Sequence, residues 1–158
     1  MLEKIFAPIW GWISVRSRRR ITRLFHPTFT ASAAVIIFDN SGKVLLLKHT
    51  IRPGSGWGIP GGFLKAGEQP EEAIKRELLE EIGVELMEVL YLRTRIVARH
   101  IEFLFTGKIS DRPEIKSNEI SSIGWFRINE LPEGMPPAQT VIIQKVYEDL
   151  FQDKAGVA

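Results

Sequence analysis

The chain has 158 residues, 44% of them hydrophobic and 25% charged, with 21 basic against 19 acidic side chains. This describes one domain long enough to bury a core, and it excludes disordered and fibrous classes. There is no cysteine, which excludes disulfides, thiolate zinc sites and thiol nucleophiles and fits a reducing cytoplasm; no apolar run reaches the roughly 18–20 residues that span a bilayer.

Residues 1–29 stand apart as a basic and apolar arm, and residues 30–155 form the main domain. MLEKIFAPIWGWISV is apolar and aromatic, and RSRRRITRLF then brings in Arg16, Arg18, Arg19, Arg20 and Arg23. A basic block after the apolar run is the wrong order for a secretory signal. A helix from about Ile13 would set Ile13, Ile21, Leu24 and Phe25 near one side and arginines on the other. Three uses are open: packing on the same domain or on the partner subunit of a homodimer, peripheral membrane contact, or an arm for phosphates. The basic residues gather in this arm, so no specific nucleic-acid partner is expected. His26-Pro27 closes the segment, because the residue before a proline is pushed out of the helical region.

Ala31 to Phe38 reads as a strand buried on both faces, Asp39 to Gly42 as a turn, and Lys43 to Lys48 as the return strand of a hairpin. Ile51 to Gly62 is rich in Gly and Pro and is expected to be a loop, with Trp57 as a packing anchor. A helix should start near Pro70, where a proline's missing N–H is not needed, and stop at Gly83 in the left-handed position. Ala73, Ile74, Leu78 and Ile82 recur at helical spacing as its buried side, and Glu71 and Glu72 complement the dipole of its first turn. Val84 to Val97 offers one or two strands carrying Arg93 and Arg95. Arg99 to Ile109 is a strand, Asp111 to Asn118 a loop, Ser121 to Ile128 a strand, and Thr140 to Phe151 a closing helix. The expected class is α/β of the α+β kind, a mixed β-sheet sandwiched between helices.

The stretch from Gly61 to Val84 holds six carboxylates: Glu68, Glu71, Glu72, Glu77, Glu80 and Glu81. Like charges three and four apart on a helix repel, so Glu77, Glu80 and Glu81 call for something positive among them. A hard, oxygen-preferring cation, Mg²⁺ or Mn²⁺, suits clustered carboxylates. Arg76, four residues before Glu80, is placed to hold a carboxylate in position.

Gly62, five residues, Glu68, seven residues, Arg76-Glu77-Leu78, one residue, Glu80-Glu81, one residue and Gly83-Val84 together resemble the Nudix box without a departure. The hairpin before the box, the Gly-rich GWGIPGG approach and a Trp-Phe strand followed by Glu-Leu-Pro are similar to the usual Nudix layout, so the resemblance covers roughly Ala31 to Phe151. It implies the Nudix fold and a Mg²⁺-dependent pyrophosphohydrolase (Mn²⁺ as substitute) cleaving a diphosphate linkage in a nucleoside diphosphate derivative or a nucleoside triphosphate. By the same resemblance Glu77, Glu80, Glu81 and the Gly62 carbonyl are metal ligands. Glu77 is also a candidate base, Arg76 supports the reaction, Glu68 braces the loop against the helix and Gly83 sets its end. Glu119 in the loop before the Trp-Phe strand is the candidate for a further acid or base, with Glu114 second. Arg93, Arg95, Arg99 and His100 are candidates to grip a substrate phosphate. No marker of the ADP-ribose, dinucleoside polyphosphate or coenzyme A subfamilies is present. The rival functions are a non-catalytic Nudix binding or regulatory module, and a membrane-associated hydrolase of an amphiphilic pyrophosphate.

Overall fold

The structure, a computed structural model, describes residues 14–51 and 54–152. It divides into two compact units, residues up to Thr30 and residues from Ala31 on. In the first unit, helix α1 runs Val15–Phe25. Ser14 caps it, its hydroxyl accepting from the Ser17 N–H at 3.2 Å. His26 follows in extended conformation, as a residue before proline should. The earlier start expected at Ile13 falls outside the described residues.

The strands follow in chain order as β1 (Thr30–Ile37), β2 (Val44–His49), β3 (Trp57–Gly58), β4 (Gly61–Phe63), β5 (Leu86–Val97), β6 (His100–Ile109) and β7 (Ile120–Phe126), all but the first residue of β1 in the second unit. Helix α2 spans Pro70–Ile82 and helix α3 Pro137–Tyr147, followed by one wider turn over Glu148–Gln152. The α+β class holds, with the strands shared between two sheets, of order β4-β1-β6-β5 and β3-β2-β7.

β1 and β2 do not form the expected hairpin. They belong to different sheets and are joined by one antiparallel bridge, Phe38 to Val44. The turn between them is tight: Asp39 Oδ1 accepts from the Ser41 and Lys43 N–H groups at 2.8 and 2.9 Å. The two strands part because each is apolar on both faces and needs cover on both. Ala33, Val35 and Ile37 of β1 and Leu45 and Leu47 of β2 pack with Ala73, Ile74, Leu78 and Ile82 of α2. Ala34 and Ile36 of β1 and Val44 and Leu46 of β2 pack with Ile142, Ile143 and Val146 of α3. The period-two alternation of a strand thus feeds two cores, one under each helix.

The Gly-rich segment also departs from expectation, because β3 and β4 lie inside it. β4 pairs with β1 in the register Ala33 to Gly62, and β3 pairs with β2 through Leu47 to Gly58. Glycine weakens a strand's own preference, but two long buried strands beside it supply the ladder partners. Trp57 sits edge-to-face on Phe126 at 5.0 Å, the packing role expected of it. Residues 86–97 form a single strand with irregular pairing near Met87 to Leu90. α3 starts three residues before the expected Thr140, with Pro137 in its first turn.

Candidate active site

The site is built where β4 meets α2. Packing fixes the helix first: Ala73, Ile74, Leu78 and Ile82 are all fully buried. Its first turn uses Glu72, whose carboxylate accepts the Gln69 N–H at 3.0 Å, and Glu71, paired with Lys75 at 2.6 Å. Its last turn ends at Gly83, with φ +68°, a region that disfavours any side chain. The 111–118 loop then satisfies two of the open carbonyls: the Lys116 N–H donates to Glu81 O and the Glu114 N–H to Ile82 O.

Arg76 is the centre of the polar face. Its Nε and Nη2 donate to the two oxygens of Glu68 at 2.7 and 3.0 Å. Nη1 donates to Glu77 Oε1 at 2.7 Å and to Glu80 Oε2 at 3.1 Å. Nη2 also donates to the Phe63 carbonyl at 3.2 Å. One guanidinium therefore ties β4, the following loop and two carboxylates of α2 together, a use of the planar fork that lysine lacks. The grip has electrostatic consequences. Hydrogen bonds from Arg76, then from the Lys65 N–H, hold the Glu68 carboxyl at about 2, well below its ordinary 4.5. The same bond to Glu68, with Glu77 and Glu80 behind it, raises Arg76 further above its ordinary range.

Gly62 matters for its missing side chain. It lies opposite the fully buried Ala33 in the ladder. A Cβ built on it would fall onto the Glu77 carboxylate. The backbone of β4 and that carboxylate thus occupy one small space, with the carbonyls of β4 beside the acidic face of α2.

Glu80 is half exposed and lies 3.6 Å from Lys65 Nζ. Glu81 turns inward: it is 4% exposed, with Oε1 3.9 Å from Nδ1 of His49 at the end of β2. Glu68, Glu77 and Glu80 thus face two cations, Arg76 and Lys65, while Glu81 turns to His49; the four carboxylates and two cations together carry a formal charge of −2. Among the described residues no three acidic or histidine side chains are already gathered about one point for a metal. The donor set nonetheless suits a hard divalent cation: all its donors are oxygens and the residual charge is −2.

The other predicted residues are spread around this centre. Glu119 is exposed and shares a small cavity with His49, Thr50 and Ile51, so His49 stands between it and Glu81. Glu114 is paired with Lys116 at 2.9 Å, which lowers its carboxyl pKa. A cleft of about 200 Å³ opens on Gly61 and Gly62 and is lined by Ser32, Phe63, His100, Glu102 and Gln139. His100 Nε2 and Ser32 Oγ are 2.8 Å apart, and Phe63 meets the His100 ring edge-to-face at 5.7 Å. Arg95 reaches this cleft only through Glu102, at 2.7 Å. Arg93 and Arg95 line a second cleft of about 360 Å³ with Leu104, Pro137, Val141 and Lys145. Arg99 is exposed in the turn between β5 and β6 and lines neither cleft.

His49, Ser32, Phe63, Glu102 and Gln139 carry no signal of their own in the sequence. Phe63 adjoins Gly62 and was accessible by proximity. Ser32 and His100, 68 positions apart, meet only through the β4-β1-β6 sheet order.

The model of the NUDIX domain matches residues 28–150. Among curated proteins, the NAD-capped RNA hydrolase NudC of Pectobacterium carotovorum subsp. carotovorum is 27% identical over 91% of this chain and 58% of its own length. The namesake from Citrobacter koseri is 24% identical over 89% of this chain and 53% of its own. The chain therefore spans about half the length of the curated relatives it matches. Among solved structures, the MutT NUDIX hydrolase of Burkholderia pseudomallei superposes with a TM-score of 0.66, at 25% identity, over 74% of this chain and 97% of that one.

Proposed function

Because the chain belongs to the NUDIX family, we propose that it is a divalent-metal-dependent pyrophosphohydrolase acting on a nucleoside diphosphate derivative or a nucleoside triphosphate. The observation that carries this reading is the Arg76 clamp. It holds Glu68, Glu77 and Glu80 beside the side-chain-free Gly62, which also lines a neighbouring cleft of about 200 Å³.

Glu77, Glu80 and Glu81, with the Gly62 carbonyl, are the residues that would hold the metal. Mg²⁺, or Mn²⁺ in its place, would supply charge neutralisation on the phosphate oxygens and a water acidic enough to attack phosphorus. The residues of the chain do the rest. Arg76 keeps Glu77 and Glu80 from swinging apart, and Glu68 keeps Arg76 from turning away. Glu77 or Glu119 would take the proton of the attacking water. Phe63 and His100, which line the cleft with Glu102 and Gln139, would offer their rings to a base or ribose. Arg93 and Lys145, on the second cleft, would attract and orient the anionic remainder of the substrate. NAD-capped RNA, named in the activity of the NudC relatives, is one member of this substrate class.

The test is a panel of nucleoside diphosphate derivatives, dinucleotides and nucleoside triphosphates incubated with Mg²⁺ or Mn²⁺, with products separated by chromatography. Release of a nucleoside monophosphate from at least one compound, absent with a chelator, is expected. No cleavage of any member with either metal would leave the binding-module reading in its place.

A further inference from the structure

The acidic clamp and the clefts leave the N-terminal arm without a role, and the NUDIX match begins only at residue 28. Charge is divided sharply between the two parts. Residues 1–29 hold six basic residues and one acidic, while residues 30–158 hold fifteen basic and eighteen acidic. The arm is therefore +5 on a remainder of −3. Within α1 the arginines are ordered rather than scattered. Positions 16, 19, 20 and 23 recur at i, i+3, i+4 and i+7, so four of them share one face of the helix. Positions 21, 24 and 25, all apolar, recur at i, i+3 and i+4 on another side, which position 18 shares. The helix has no acidic residue to neutralise the stripe, and Arg16 and Arg20 are exposed. The sequence just before it carries Ile5, Phe6, Ile9, Trp10, Trp12 and Ile13, interrupted by Pro8 and Gly11.

We propose that α1, together with the apolar and aromatic sequence before it, binds the surface of an anionic lipid bilayer. A four-arginine stripe accounts for attraction to any phosphate-rich surface. The tryptophans and isoleucines beside it select among such surfaces, because a nucleic acid offers no hydrocarbon to receive them and a bilayer does. Tryptophan in particular settles at the headgroup level, where its ring is buried and its N–H stays wet. The contact is peripheral: among the described residues no helix is long and apolar enough to cross a membrane. An anionic surface attracts the +5 arm and not the −3 remainder of the chain.

Co-sedimentation of the full chain with vesicles tests this, comparing phosphatidylcholine alone with phosphatidylcholine mixed with phosphatidylglycerol. Binding to the mixed vesicles only, weakening as salt is raised, is expected. Reversing the stripe (R16E, R19E, R20E and R23E together) should lower the partition coefficient about a hundredfold or more. Trp10→Ser with Trp12→Ser, which leaves the charge intact, should also lower it. Both variants should keep the parent's thermal unfolding transition. Absence of binding to the mixed vesicles would overturn the proposal. So would unchanged binding in the tryptophan variant combined with full release by single-stranded RNA, because the arm would then be a general polyanion binder. The vesicle measurement does not depend on hydrolysis, so its failure is distinct from failure of the active-site reading.

Discussion

Gly62→Ala puts the geometry of the site to its sharpest test. The new methyl group would fall onto the Glu77 carboxylate. Neither backbone can retreat cheaply. β4 is held by its ladder to Ala33, which is fully buried, and α2 is held by four fully buried apolar side chains. Glu77 must therefore swing off the methyl group and give up the 2.7 Å bond from Arg76. Overpacking of this kind costs about 1–3 kcal/mol, and a lost hydrogen bond between charged groups about 1.5–3 kcal/mol. Part of the second term returns when the freed carboxylate meets water. A net loss of about 2 kcal/mol is expected, which for a domain of this size lowers Tm by roughly 4–8 °C. Displacing by an ångström a carboxylate that is proposed to hold the metal should also lower turnover about a hundredfold. The decisive assay is a double-mutant cycle read by thermal or denaturant unfolding. In a Glu77→Ala background there is no carboxylate to strike, so Gly62→Ala should be nearly neutral, leaving a coupling of about 1–2 kcal/mol between the two sites. Equal costs of Gly62→Ala in both backgrounds would refute the account, whatever the activity data say.

Three further outcomes are expected. Arg76→Lys should fold but lose the two-point hold on Glu68 and the bond to the Phe63 carbonyl, with kcat falling about 10–100-fold; parental kcat in steady-state assays would count against the clamp. Glu68 titrates near 2 in the folded chain against 4.5 ordinarily, so its contribution to stability is fully present above pH 4.5 and disappears as pH falls to about 2. Glu68→Gln should accordingly flatten the loss of stability in that window in acid unfolding curves, and an unaltered slope would show that Glu68 is not the group responsible. Glu80→Gln or Glu81→Gln should abolish metal-dependent phosphate release and remove the rise in Tm with Mg²⁺, worth about 2.7 kcal/mol at a metal concentration one hundred times Kd; a retained thermal shift in both variants would mean that the metal binds elsewhere.

The division between local and long-range information is visible residue by residue. The helix Pro70–Ile82, its proline start, its left-handed Gly83 and its buried stripe were all legible, because each depends on neighbours within four positions. The candidate site residues on that helix were legible for the same reason: Arg76, Glu77 and Glu80 meet along one face. The partition of β1 and β2 into separate sheets was not legible. Two apolar runs around a four-residue turn carry the pattern of a hairpin, and only the arrival of β4, β6, β3 and β7 from later in the chain decides which edges they use. The strands within the Gly-rich segment were hidden for a related reason, since their pairing comes from partners rather than from their own preference.

By itself, then, the sequence determined the acidic helix, its caps, the placing of Arg76 among its carboxylates, and the separate arm with its arginines. Only the tertiary structure decided that Glu81 turns inward toward His49, that Gly62 makes room for Glu77, and that Ser32, Phe63, His100 and Gln139 close a cleft beside them. The physical reason is range. A helical turn brings together residues three and four apart whatever surrounds them, whereas a cleft between sheet and helices exists only after strands distant in the chain have found their order.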